Sequence, residues 1–75
     1  MSQTDIVWKP VSEFYNDDRS KKAMVNLDIK AQYYFIDFYD NKTYINTISY
    51  PGKSYNYVED AAENYTLGIL NVKAS

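Results

Sequence analysis

The clearest structural signal in this chain is SYNYVEDAAENYTLGIL at residues 54–70, which predicts one amphipathic helix. At about 100° per residue, its apolar side chains gather on one side and its polar ones on another. The apolar side consists of Val58, Ala61, Ala62, Tyr65 and Ile69, and the polar side of Asn56, Glu59, Asp60, Glu63 and Asn64. Ser54 or Asn56 can cap the start, and Gly68 is placed to end the helix.

Three strands are predicted before the helix, at residues 22–29, 32–39 and 43–50. Residues 22–29 (KAMVNLDI) alternate with the period of a half-buried strand. Residues 40–42 (DNK) favour a tight hairpin turn, and Pro51-Gly52 stops the third strand. We therefore expect an α+β fold, in which a three-stranded antiparallel meander (22–50) is followed by one C-terminal helix packed on one sheet face.

The first twenty residues are harder to interpret. They are expected to form an irregular N-terminal segment of a single domain spanning residues 1–75. Within it, residues 6–8 can form a short extra edge strand that ends at Pro10, and residues 12–15 (SEFY) favour a helical turn.

Side-chain alternation indicates which residues of the strands face the helix. In the second strand, Tyr34, Ile36 and Phe38 are expected to face inward. In the third, we expect Tyr44, Ile48 and Tyr50 to face inward, which puts Asn46 in the core. A β-bulge near Asn46 would resolve that conflict.

Composition argues against several classes of function. The chain has no cysteine and no histidine, which removes the usual zinc ligands and the commonest general base. Its two glycines cannot build a phosphate-binding loop. We expect a protein that is not an enzyme and has no cofactor, no metal site and no catalytic residues.

Charge and hydropathy limit the partners. The formal net charge is −2, and the acidic excess lies in the helix, which argues against binding to nucleic acid. No apolar run approaches the roughly 20 residues that span a bilayer. The N-terminus MSQTDIVWKP lacks the basic start and apolar region of a signal peptide. We expect a cytoplasmic protein without a membrane partner.

The strongest candidate site is the sheet face opposite the helix. Alternation places Tyr33, Phe35 and Tyr39 there, beside Gln32 and Asp37. Three large rings on a solvated face favour a protein interface, either in a homodimer or with another protein. One alternative is stacking on the bases of single-stranded nucleic acid. The other is that residues 1–20 fold across this face and bury the rings.

The acidic helix side, with Glu59, Asp60 and Glu63, is a second candidate partner-binding surface. These carboxylates could imitate nucleic-acid phosphates and occupy a DNA- or RNA-binding groove. The alternative is the ordinary solvated side of a helix, because carboxylates near a helix start also suit its dipole.

The predicted order of three strands and one helix resembles the arm-binding domains of tyrosine recombinases and the AP2 domains of plants. Those domains are basic and insert the sheet into a DNA groove, whereas this chain has no arginine-rich strand, so the resemblance is one of topology. Small acidic single domains without cysteine are also similar in style to bacteriophage accessory proteins. We therefore expect a small protein-interaction module that binds and modulates a host protein or complex.

Overall fold

The computed structural model describes residues 7–73 and shows a four-stranded antiparallel sheet with one helix packed on it. The strands lie side by side in chain order as β1 (Trp8–Tyr15), β2 (Lys21–Asp28), β3 (Tyr33–Asp40) and β4 (Thr43–Tyr50). The helix α1 (Tyr55–Thr66) follows them. The predicted α+β class, a meander followed by a C-terminal helix on one sheet face, is confirmed.

The core lies between this helix and the middle of the sheet. The helix packs mainly against β2 and also contacts β1 and β3. Phe38 meets Tyr65 edge to face, with ring centroids 4.8 Å apart. The Tyr65 hydroxyl donates to the carbonyl oxygen of Tyr39 at 2.9 Å, which ties the end of the helix to β3. The fully or almost fully buried apolar residues are Ala23, Val25, Ile36, Phe38, Val58, Ala62 and Tyr65.

β1 is the extra N-terminal edge strand that the sequence allowed, but it is longer than expected. The expected helical turn at residues 12–15 and the end of the strand at Pro10 are both wrong, because Trp8–Tyr15 form one strand. An edge strand tolerates Pro10, and the register shift between Pro10 and Ser12 marks a β-bulge there. Pairing with β2 therefore overrides the local preference for a turn. Residues 1–6 lie outside the described part of the chain.

β4 contains the bulge that its alternation predicted. The register shifts between Phe38 and Tyr39, so that Phe38 is opposite Asn46 while Tyr39 is opposite Tyr44. Ile45 lies between these two pairs and packs against the core. The expected inward orientation of Tyr44 is therefore wrong, and its side chain is 49% exposed.

The helix begins after Ser54, one of the two predicted N-caps. The Ser54 Oγ accepts a hydrogen bond from the backbone N–H of Tyr57 at 3.2 Å, which satisfies one of the free donors of the first turn.

The helix ends at Thr66, four residues earlier than predicted. Gly68 has a φ of 83°, and its N–H donates to the carbonyl oxygen of Tyr65 at 3.1 Å. The N–H of Ile69 donates to the carbonyl oxygen of Asn64 at 2.9 Å. This pair of bonds is a Schellman motif, which confirms Gly68 as the terminating residue. Ile69 consequently leaves the apolar side of the helix and is 68% exposed.

Two connections meet at one end of the sheet, which we call the hairpin end. The β3–β4 turn is the predicted hairpin, with φ of 52° at Asn41 and 67° at Lys42, as in a type I′ turn. The loop at residues 16–20 joins β1 to β2 at the same end. The N–H of Asn41 donates to the carbonyl oxygen of Ser20 at 2.5 Å, so the two connections are held together.

Candidate functional site

The sheet face opposite the helix, which we call the open face, is the largest candidate site. Among residues 7–73, no helix or strand packs on it. Strand register and alternation assign its side chains. They are Trp8, Pro10, Glu13 and Tyr15 of β1; Lys22, Met24, Asn26 and Asp28 of β2; Tyr33, Phe35, Asp37 and Tyr39 of β3; and Tyr44, Thr47 and Ser49 of β4.

The structure places the three predicted anchor rings on this one face. Tyr33, Phe35 and Tyr39 are all half-buried rather than fully exposed. Phe35 meets Trp8 edge to face with centroids 6.2 Å apart, and Tyr39 meets Tyr44 in the same way at 5.8 Å. The rings therefore support one another within the face.

Residues 8–15 do not fold across the open face. They extend the sheet beyond β2 as a fourth strand, and Trp8 at the start of β1 leans over Phe35. The Trp8 side chain itself remains 48% exposed. In the described part of the chain, the rings are thus accessible at the surface and not buried under the N-terminal segment.

Three exposed rings of the open face were missed by the sequence analysis: Trp8, Tyr15 and Tyr44. Alternation alone could not have placed both Trp8 and Tyr15 on this face, because the bulge between Pro10 and Ser12 reverses the parity within residues 8–15. Tyr44 is expected on the helix-facing side of the sheet, because the alternation of side chains in residues 43–50 does not show which residue forms the bulge. With these rings added, aromatic side chains extend over all but one of the four strands, β2.

A chain of polar side chains runs through the aromatic surface. The Asn26 Nδ2 donates to Asp37 Oδ2 at 3.1 Å, and the Thr47 Oγ1 donates to Asp37 Oδ1 at 2.6 Å. The hydroxyls of Tyr44 and Thr47 share a hydrogen bond of 2.6 Å. Asn26 is 0% exposed, between Pro10 and Phe35 of the neighbouring strands, so this chain is anchored below the surface.

A pocket of about 360 Å³ lies at the hairpin end of the open face. The Arg19 guanidinium lies 5.3 Å from the centroid of the Tyr15 ring, and the Lys22 Nζ lies 5.0 Å from that of Tyr39. Lys42 projects from the β3–β4 turn into the same lining. The residues that line this hairpin-end pocket are Tyr15, Arg19, Ser20, Lys22, Tyr39 and Lys42.

The tyrosines of the pocket remain protonated at neutral pH. A hydrogen bond to the Glu13 carboxylate at 2.9 Å raises the pKa of the Tyr15 hydroxyl above its ordinary value. Burial raises the pKa of Tyr39, and the negative charge of the nearby Asp37 carboxylate acts in the same direction. The pocket therefore offers neutral phenols and cationic side chains together.

The acidic residues of the helix form a separate surface. Asp60 and Glu63 are exposed and Glu59 is half-buried. They lie on α1, across the sheet from the anchor rings, so the two predicted surfaces are not one site. Of the aspartates that could extend the acidic set, Asp28 and Asp37 belong to the open face, whereas Asp40 lies on the side of the sheet on which the helix packs.

Among residues 7–73, no group of three or more acidic side chains is positioned to hold a metal ion. The arrangement of rings, a buried polar chain and a cationic pocket is suited to binding.

Comparison of the chain with protein-family models, with curated proteins and with solved structures finds no match. Over residues 7–73, no helix has the length and apolar character needed to cross a membrane.

Proposed function

We propose that this protein is a non-catalytic interaction module that binds another protein through its open face. The observation that carries the proposal is a broad aromatic surface on one side of a sheet whose other side is already occupied by the helix. Trp8 and Tyr44 are each about half exposed, at 48% and 49%, and flank the predicted anchors. Groups of exposed apolar side chains, unlike single ones scattered over a surface, often mark contact surfaces.

The chemistry of these residues suits protein recognition. Tryptophan and tyrosine are enriched among the side chains that dominate binding energy at interfaces. Each carries a large apolar area, a polar atom and few rotatable bonds, so little entropy is lost when it is fixed. Edge-to-face contacts between Trp8 and Phe35 and between Tyr39 and Tyr44 further restrain the rings before a partner arrives.

The hypothesis that the open face stacks on the bases of single-stranded nucleic acid has less support. The cations of the hairpin-end pocket are confined to one end, whereas a nucleic acid needs a basic path along its backbone. Glu13, Asp28 and Asp37 lie on the rest of the face and would repel phosphates. Charge therefore favours a protein partner.

Nucleic-acid mimicry by the helix is the other alternative. It would use Glu59, Asp60 and Glu63, whose carboxylates span only two turns of α1. Of the three aspartates that could extend this acidic surface, Asp28 and Asp37 lie on the open face, and Asp40 adds a single further carboxylate on the helix side of the sheet. The open face is thus the better-supported interface.

Substitution of Phe35 by aspartate tests the proposal. A charge in the middle of the ring cluster should abolish partner capture from a lysate of the native host, or self-association measured by sedimentation, without reducing the helix content. Trp8→Gln, which removes an exposed ring with less risk to folding, should weaken the same association by at least about tenfold.

Ile69→Asp provides the matched control, since Ile69 is an exposed apolar residue outside the open face. It should leave association unchanged. Capture and sedimentation that are equal for the Phe35, Trp8 and Ile69 variants and the unmodified protein would refute the proposal.

A further inference from the structure

The geometry points to an anion-binding subsite in the hairpin-end pocket, and we infer that it takes a phosphate monoester carried by the protein partner. This inference rests on the proposed function for the carrier of the phosphate, but the pocket can be tested without that partner. Three cations converge here, from the β1–β2 loop, from β2 and from the β3–β4 turn.

Two of the three cations lie over aromatic rings. Arg19 lies over Tyr15 and Lys22 over Tyr39, at 5.3 and 5.0 Å from the ring centroids. A cation over a ring is oriented by the π-electrons, while its N–H groups stay available for hydrogen bonds. Arg19 and Lys22 therefore keep N–H donors that can bind an anion.

The acidic residues near the hairpin-end pocket form hydrogen bonds of their own or lie outside its lining. Glu13 accepts from the Tyr15 hydroxyl, and Asp18 accepts from the backbone N–H of Ser20 at 2.9 Å. That bond lowers the pKa of Asp18. Asp17 and Asp18 line a neighbouring depression with Leu67, not this pocket. The pocket lining itself contains no carboxylate.

Two of the cations occupy backbone positions that are unfavourable for them. Arg19 and Lys42 have φ of 61° and 67°, in the left-handed region that favours glycine or asparagine. The second position of a type I′ turn is typically glycine. Keeping a lysine there lowers stability, which supports a role for its charge beyond folding.

Charge and shape together favour a phosphate monoester. Three positive charges match a dianion better than a single carboxylate, and arginine can bind two phosphate oxygens at once. The volume of about 360 Å³, bounded by the rings of Tyr15 and Tyr39, leaves room for an apolar or aromatic carrier of the phosphate. Phenyl phosphate is therefore the appropriate probe.

The test is a titration of the ¹⁵N-labelled protein with phenyl phosphate, followed by two-dimensional NMR. We expect saturable shifts of the Ser20, Lys22 and Lys42 amides, and weaker binding of benzoate, which has the same ring but one negative charge. Lys22→Gln combined with Lys42→Gly should weaken phenyl phosphate binding by at least about tenfold, since two charge-assisted contacts are lost.

Lys42→Gly is informative because it fits the turn better than the native residue. The single variant should unfold at a higher denaturant concentration and yet bind the probe less tightly. A purely structural role for Lys42 cannot produce that combination. The control is Lys9→Gln with Lys30→Gln, which removes two charges outside the pocket and should change affinity by no more than about twofold.

Several results would overturn the inference. The first two are the absence of saturable shifts with phenyl phosphate and an equal loss of affinity for it in the two double variants. The others are benzoate binding as tight as that of phenyl phosphate, and an oligothymidylate that binds more tightly than phenyl phosphate and shifts amides along the whole open face. The last result would assign the face to nucleic acid. The Phe35→Asp variant distinguishes the anion-binding subsite from the proposed protein interface. If this variant binds phenyl phosphate and still captures the partner, the subsite is supported and the proposed interface is refuted.

Discussion

Asp37 connects the surface of the open face to its interior. It accepts hydrogen bonds from Asn26, which is buried, and from Thr47, which is bonded in turn to Tyr44. Asn26 has no hydrogen-bond partner for its Oδ1 among residues 7–73, so its amide depends on the bonds made by Nδ2. One of those bonds goes to Asp37 and the other to the carbonyl oxygen of Met24.

Asp37→Ala should therefore destabilise the protein more than an ordinary surface substitution. It leaves a buried amide donor without one of its acceptors, which costs about 1–3 kcal/mol in the free energy of unfolding. Urea denaturation followed by circular dichroism measures the change. Asp60→Ala, on the exposed side of the helix, is the control and should stay within about 0.5 kcal/mol of the unmodified protein. Equal stabilities for the two variants would contradict this role of Asp37.

At the scale of the element, the end of the helix depends on Gly68. Its φ of 83° is in the left-handed region, and a Cβ added there would meet no atom within 4 Å. The cost of Gly68→Ala is therefore one of backbone conformation alone, about 1–2 kcal/mol. Gly68→Asn should lose less, because asparagine tolerates this region. Denaturation midpoints that do not fall in the order Gly, Asn, Ala would contradict the account.

The helix and the last two hairpin strands were predictable because each carries a local signal. The helix has a capping serine, a terminating glycine and a 3.6-residue apolar period, and the turn that joins β3 and β4 begins with Asn41, which accepts positive φ. β1 lacks such a signal: Pro10 interrupts its pattern, and its conformation is fixed by pairing with β2, which is a non-local interaction.

The candidate site shows the same division. Tyr33, Phe35 and Tyr39 could be assigned from the alternation of a single strand. Trp8 and Tyr44 could not be assigned in this way. The position of Trp8 depends on the pairing of β1 with β2, and that of Tyr44 depends on which residue of β4 forms the bulge. The hairpin-end pocket could not be predicted from the sequence, because its residues come from loop 16–20, β2, β3 and the β3–β4 turn, which are separated along the chain.

The whole molecule has two unlike sides. The helix side carries the exposed carboxylates of Asp60 and Glu63, and the open face carries the rings with cations at one end. The core between them is small, as expected of a chain of 75 residues. The helix covers one face of the sheet, and no helix or strand of residues 7–73 packs on the other. We propose that the rings of this open face contact another protein.

The most direct test of this account uses Trp8, the single tryptophan of the chain, as a reporter of the open face. Its fluorescence should be strongly quenched by acrylamide in the free protein, because its side chain is 48% exposed. In the complex with a captured partner, or at concentrations where the protein self-associates, quenching should fall and the emission should shift to shorter wavelength. Quenching of Trp8 that is the same in the free and the bound protein would contradict the central claim that the open face is the binding surface.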